Sequence, residues 1–160
     1  MTAVDLWHFC ETVYAEPEVE ALCLRLQDEQ GINVPLLLWC AWLESNGQSL
    51  SLDTLQAAKQ RVETTSAATV EPLRSLRRRI KSERVLSGAV EDEVRQHMLK
   101  AELAIEKSLL RELEGIARNA SDRDVDTRSP VNLLINVMAL TNAESWLDQL
   151  RHATSRVIRK

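Results

Sequence analysis

Apolar residues recur at helical spacing through almost the whole chain. Leu6, Phe9, Cys10 and Val13, with Trp7 and Tyr14 widening the stripe, predict a first helix that begins after Thr2-Ala-Val-Asp5 and stops before Pro17. Pro17 suits the first position of a second helix, where its missing N–H would have no intrahelical partner anyway. Glu16, Glu18 and Glu20 place negative charge at that helix's positive end. Val19, Leu22, Cys23 and Leu26 form its inner face, and Gly31 is a natural stop. Asn33 and Pro35 open a third helix, Leu36-Leu37-Leu38-Trp39-Cys40-Ala41-Trp42-Leu43, which has no polar face and ends at Asn46-Gly47. A helix apolar all round is a buried one, and this run is too short to cross a bilayer. It is expected to be the central post on which the others pack.

Ser51 and Asp53 are both suitable caps for a fourth helical run, in which Leu55, Ala58 and Val62 lead into a seam at 62, 66, 69, 73, 76 and 80. Pro72 lies inside that seam, so the run should be two helices or one bent one. Ser87-Gly88 precedes a long fifth run over 89–118 with two adjacent stripes: Val94, Met98, Ala101, Ile105 and Leu109 on one, Leu99, Leu103, Leu110 and Leu113 on the other. Two stripes call for two neighbours. The polar, aperiodic stretch from Asn119 to Ser129 predicts an exposed, mobile loop. Ser129-Pro130 then opens a helix carrying Leu133, Leu134, Val137 and Met138. Thr141-Asn-Ala-Glu144 has the form of a capping box before a last helix with Trp146, Leu150, Ala153 and Val157 on one face. The expected fold is all-α: one domain over residues 1–160, a bundle of about seven helices around a short, fully apolar central helix.

Composition agrees with that class, since only four glycines and four prolines in 160 residues argue against a turn-rich β architecture. Charge is uneven. Residues 1–50 hold one basic and eight acidic side chains, a balance of -7, and the rest carry nineteen basic and sixteen acidic, a balance of +3. The acidic amino-terminal half is therefore expected to pack on the more basic carboxy-terminal part. Three cysteines, at 10, 23 and 40, are an odd number on apolar faces and predict buried free thiols in a reducing compartment. With no apolar run long enough to span a bilayer and no basic stretch leading into a hydrophobic amino terminus, the expected location is cytoplasmic, with no membrane partner.

The densest chemistry is Pro72-Leu-Arg-Ser-Leu-Arg-Arg-Arg-Ile-Lys81, extended by Arg84. Arg74, Arg77, Arg78, Arg79, Lys81 and Arg84 put six basic residues in eleven positions, enough to meet several phosphates or an acidic partner. The segment has no aromatic platform for bases, and a pI near 5.5 does not favour nucleic acid, so the plainer expectation is that it covers the acidic half. Arg151, His152, Arg156, Arg159 and Lys160 suit the negative end of the last helix. Trp7, Trp39, Trp42 and Trp146 are many beside one Phe and one Tyr. A buried indole N–H wants an acceptor, and Gln27, Asp28 and Asn33 are the nearest candidates in sequence. The cysteine spacing is wrong for a metal or redox site, and Glu93 and His97 stand four apart rather than the three of a di-iron motif. No catalytic or phosphate-loop motif is present, so no metal, cofactor or catalytic residue is expected.

The residues Leu6-Trp7, Phe9, Tyr14, Pro17-x-Val19, Cys23-Leu24-x-Leu26-Gln27-Asp28-x-x-Gly31, Leu36-Leu37-Leu38-x-x-x-Trp42 and Pro72-Leu-Arg-x-Leu-Arg-Arg resemble a small proteobacterial family of uncharacterised helical proteins. Glu18, Pro35 and Trp39 depart from its pattern, which has glycine, asparagine and phenylalanine there. The resemblance implies a cytoplasmic bacterial protein and brings no catalytic or cofactor residues. Taken with the residue pattern, it points to a non-enzymatic adaptor or regulator that binds another protein. Its candidate surfaces are a groove beside Trp7, Tyr14, Gln27, Asp28 and Trp42, or the basic helix with Arg74, Arg77, Arg78, Arg79 and Lys81. Nucleic-acid association through that helix is the alternative, with an enzyme or small-ligand carrier after it.

Overall fold

The structure, a computed structural model, describes residues 4–120 and 123–158. They form eight α-helices: α1 (Leu6–Tyr14), α2 (Pro17–Gln30), α3 (Val34–Ser45), α4 (Leu52–Ala68), α5 (Val70–Glu83), α6 (Gly88–Asn119), α7 (Pro130–Val137) and α8 (Ala143–Ile158). The described residues contain no strand, and the chain is all-α. None of these helices is long and apolar enough to cross a membrane.

Local chemistry sets most of the boundaries. The side chains of Asp5, Asn33, Ser51 and Ser129 each accept a hydrogen bond from a backbone N–H in the first turn of the helix that follows. Gly31 closes α2 at φ 65, its N–H donating to the Gln27 carbonyl while Ile32 N–H donates to that of Leu26, a left-handed turn that glycine adopts without strain. Every residue from Leu36 to Leu43 is buried, and α3 packs against α1, α2, α4, α6, α7 and α8. Asn33 Nδ2 also donates to Ser66 Oγ at 3.1 Å, fastening the start of α3 to α4.

Three local expectations are corrected. The fourth run does divide, but at Thr69 (φ -133, ψ -69), not at Pro72. Pro72 falls in the first turn of α5, where a missing N–H breaks no helical bond. This break rotates the seam: Val62, Ser66, Val70 and Ile80 are buried, whereas Leu76 is 46% exposed. The stretch after Asn119, of which residues 121 and 122 lie outside the described residues, is exposed but tethered. Ser51 and Val125 form an isolated antiparallel bridge, and Asp126 N–H donates to the Leu50 carbonyl at 2.8 Å. The capping box does not form, because α8 begins at Ala143 and Thr141 is engaged elsewhere: its N–H donates to Gln30 Oε1 at 2.7 Å and its carbonyl accepts from Gln30 Nε2 at 3.2 Å.

The main apolar cluster draws on α1–α4, α7, α8 and only the carboxy-terminal half of α6, through Leu109, Leu110 and Leu113. Val70, Ile80 and Met98 are buried but lie outside it. α5 and the first half of α6 therefore form an arm. The two helices run antiparallel, since Arg77 meets Glu102 while Arg74, earlier in α5, meets Glu106, later in α6. Glu44 pairs with Arg151 across the two parts of the chain, while Arg74 and Arg77 of the basic run turn to carboxylates on their own arm. Arg74 and Arg77 thus take their carboxylate partners, Glu71, Glu102 and Glu106, from the hairpin itself.

Candidate functional site

The two helices of the arm, α5 and α6, are held together by a cluster of ions. Arg77 makes a bidentate pair with Glu102, Nε to Oε1 at 2.8 Å and Nη2 to Oε2 at 3.2 Å. Arg74 Nη1 donates to Glu71 at 3.0 Å, and its Nη2 donates to Glu106 at 3.2 Å. The Glu102 side chain is 7% exposed, and those of Arg74 and Arg77 are 16% and 18% exposed. Glu102 and Glu106 stand one turn apart on α6, so the cluster follows from helical spacing. Burial raises the Glu106 pKa above the ordinary carboxylate value. Arg74 opposes that shift, and the negative charges of Glu102 and Glu71 add to it. Tyr14, half-buried on α1, feels the field of this cluster. Burial is the main cause that pushes its hydroxyl up to about 12; Cys23, Glu20 and Glu106 add to this and Arg74 works against it.

The sequence-derived candidates thus separate into groups. Arg74 and Arg77 come together as structural bracing, and Tyr14 is half-buried against the apolar core. Trp7 is half-buried against the core, with Lys107 Nζ 4.5 Å above its ring. Trp42 is buried, and its indole N–H donates to the Val4 carbonyl at 2.8 Å, so it offers no surface to a partner. The indole nitrogens of Trp39 and Trp146 are buried without a hydrogen-bond partner among the described residues, and Asn33 is spent on Leu36 and Ser66. Gln27 is half-buried and Asp28 exposed near the end of α2. Arg78, Arg79 and Lys81 on α5 and Arg84 just after it are exposed, Arg79 lying 3.5 Å from Glu83.

Between α5 and α6, on the flank away from the ion cluster, runs an open groove of about 410 Å³. Leu73, Val94, Met98 and Ala101 line it, with Glu93 and His97 at its edge. Leu76 follows Leu73 on the same face of α5 and is 46% exposed, as is Val90 one turn before Val94. On the opposite flank of α6, Leu99 and Leu103 also face solvent. Sequence reasoning found these stripes but assigned them to the interior. The signal that separates the two cases is the composition of α5: Val70, Leu73, Leu76 and Ile80 are its only large apolar residues, too few to cover both stripes of α6.

Two other places hold reactive or charged groups. Cys10, Cys23 and Cys40 are buried and free. Burial raises all three thiol pKa values, that of Cys23 to about 12 and those of Cys10 and Cys40 further. At pH 8 the folded chain is expected to leave an aromatic disulfide reagent unreduced, while denaturant releases three equivalents per chain; rapid labelling of the folded chain would contradict the burial described here. A pocket of about 290 Å³ lies between α3, α7 and α8, beside Glu44. The Glu44 carboxylate accepts from Arg151 Nε at 2.6 Å and from Val131 N–H at 3.3 Å, so the charges there satisfy one another. Among the described residues no three His, Cys, Asp or Glu side chains are grouped to hold a metal ion.

A family model described as "Protein of unknown function (DUF2390)" matches residues 5–113, about two thirds of the chain. The chain belongs to the DUF2390 family. The matched region runs from the cap of α1 to Leu113 in α6 and so contains the whole arm, while α7 and α8 lie outside it. No curated protein and no solved structure matches the chain.

Proposed function

We propose that this member of the DUF2390 family is a non-enzymatic protein-binding adaptor or regulator whose docking element is the α5–α6 arm. The observation that carries the reading is the groove of Leu73, Val94, Met98 and Ala101, with Leu76 and Val90 exposed beside it, on an arm outside the main core. Exposed apolar side chains that adjoin one another cost solubility and are kept where something docks. The bidentate Arg77–Glu102 pair, which holds α5 on α6, supports it too, because a pre-positioned face loses less entropy on binding. Three free buried thiols favour a reducing, cytoplasmic setting.

The second reading, nucleic-acid association, draws on the exposure of Arg78, Arg79, Lys81 and Arg84. Arg74 and Arg77 are already committed to carboxylates, which reduces the phosphate-binding set from six to four. Four phosphate contacts predict a log-log salt slope of about -3.6 on duplex DNA.

The test is a photo-crosslinking amino acid placed at Leu76 and, as control, at exposed Asp148 of α8, in the native cell. Protein adducts are expected from position 76 and not from 148, unaltered by nuclease. Adducts that nuclease removes favour the nucleic-acid reading, and equal yields from the two positions would contradict the arm as docking element.

A further inference from the structure

We infer that the occupant of the arm's groove is the same groove on a second copy of this chain, the two α6 helices lying antiparallel across a two-fold axis near His97. This rests on the reading of the arm as a docking element and names its partner. The argument is the placement of charge. Glu93 and Lys100 are seven residues apart, two turns, and so share one edge of α6 beside the groove; both are exposed, and among the described residues neither has an ion-pair partner. An antiparallel copy centred between them sets each Glu93 against Lys100 of the other chain, giving two identical ion pairs. Val94 and Ala101 are also seven apart and bracket nearly the same point, so that register packs the larger side chain of one copy on the smaller of the other. A parallel copy would instead oppose Glu93 to Glu93. Nothing about an unrelated partner requires apolar and charged residues to be self-complementary about one point of the helix.

The face is small. Fourteen residues of α5 span about 21 Å, and two helices side by side measure roughly 20 Å across, which places the contact at the low end of specific interfaces, in the micromolar range. Arg78 points away from α6 by its helical position and stays available in the pair, so dimerisation doubles the basic surface offered to an acidic partner.

The experiment measures molar mass by sedimentation equilibrium of the full-length chain from about 1 to 200 µM, a range set around that expected affinity. The wild type is expected to pass from monomer to dimer. Glu93→Lys and Lys100→Glu should each weaken its own dimer about tenfold, through like charges on both contacts, yet an equimolar mixture of the two variants should recover the wild-type affinity as a heterodimer. Val94→Glu should leave only monomer, with its helical circular dichroism unchanged. A wild-type chain that stays monomeric throughout, or a dimer indifferent to the single reversals and to Val94→Glu, would overturn the inference. A monomeric chain that still gives larger protein adducts from position 76 would overturn the second copy and leave the docking role of the arm standing. A dimer together with no adducts from that position would contradict this register.

Discussion

Trp39→Ala is expected to lower the unfolding free energy by about 4 kcal/mol, a large share of the roughly 5–15 kcal/mol that holds a domain of this kind together. Trp39 is 0% exposed in the middle of α3, whose neighbours on every side are other helices, so the space left by the indole cannot be refilled without moving several of them. Its Nε1 has no hydrogen-bond partner among the described residues, so truncation orphans no acceptor and the loss is one of packing. Trp39→Phe should therefore cost only about 1 kcal/mol, since it removes an unsatisfied donor along with part of the ring. Equilibrium denaturation in urea checks both: the midpoint should fall steeply for alanine and slightly for phenylalanine, with the slope unchanged. Equal midpoints for the two would show that volume at this position is unimportant.

Glu102→Ala carries the second large effect. It leaves Arg77, and in part Arg74, facing each other in a site where both are mostly buried, and should cost about 3 kcal/mol, the lower end of the range for breaking a buried pair because the arginines keep some contact with water. Arg77→Met combined with Glu102→Leu should cost less than Glu102→Ala alone, because it removes both charges and leaves neither stranded. Glu106 behaves differently. Its folded-state pKa is raised, chiefly by burial, so its ionised form opposes folding. Stability from this group is full below the ordinary value of 4.5 and falls as pH rises through the raised value. Glu106→Gln should accordingly be neutral or mildly stabilising at pH 7, and the double variant at 77 and 102 less damaging than Glu102→Ala. A large loss from Glu106→Gln, or strict additivity at 77 and 102, would contradict this description of the cluster.

Periodicity, prolines and caps made nearly every helix legible, because the apolar stripes of α1, α2 and α8 and the polar residues at Asp5, Asn33, Ser51 and Ser129 act locally. What was not legible depends on neighbours distant in sequence. Thr141 could not reveal that Gln30, from the end of α2, would take its backbone groups, nor Val125 that Ser51 would pair with it. The division of the basic run, with Arg74 and Arg77 turned inward and Arg78 and Arg79 outward, required the register of α5 on α6. Period alone gives the angular position of Leu99 and Leu103 but cannot say whether another helix covers them. For the groove beside Trp7, Tyr14, Gln27, Asp28 and Trp42, periodicity places the residues on helices, but the burial of Trp42 and the spending of its indole N–H on the Val4 carbonyl depend on the packing of α3.

The most direct measurement is residue-resolved native-state hydrogen exchange at two protein concentrations. Amides of α3 should exchange only through global unfolding, the costliest opening of the chain, and that cost rises with concentration only as far as the dimer stabilises the native state. Those of residues 74–100 should open at distinctly lower cost when dilute and gain protection as concentration rises. Arm amides as protected as α3 in dilute solution, and indifferent to concentration, would show that no separately held, open-faced arm exists.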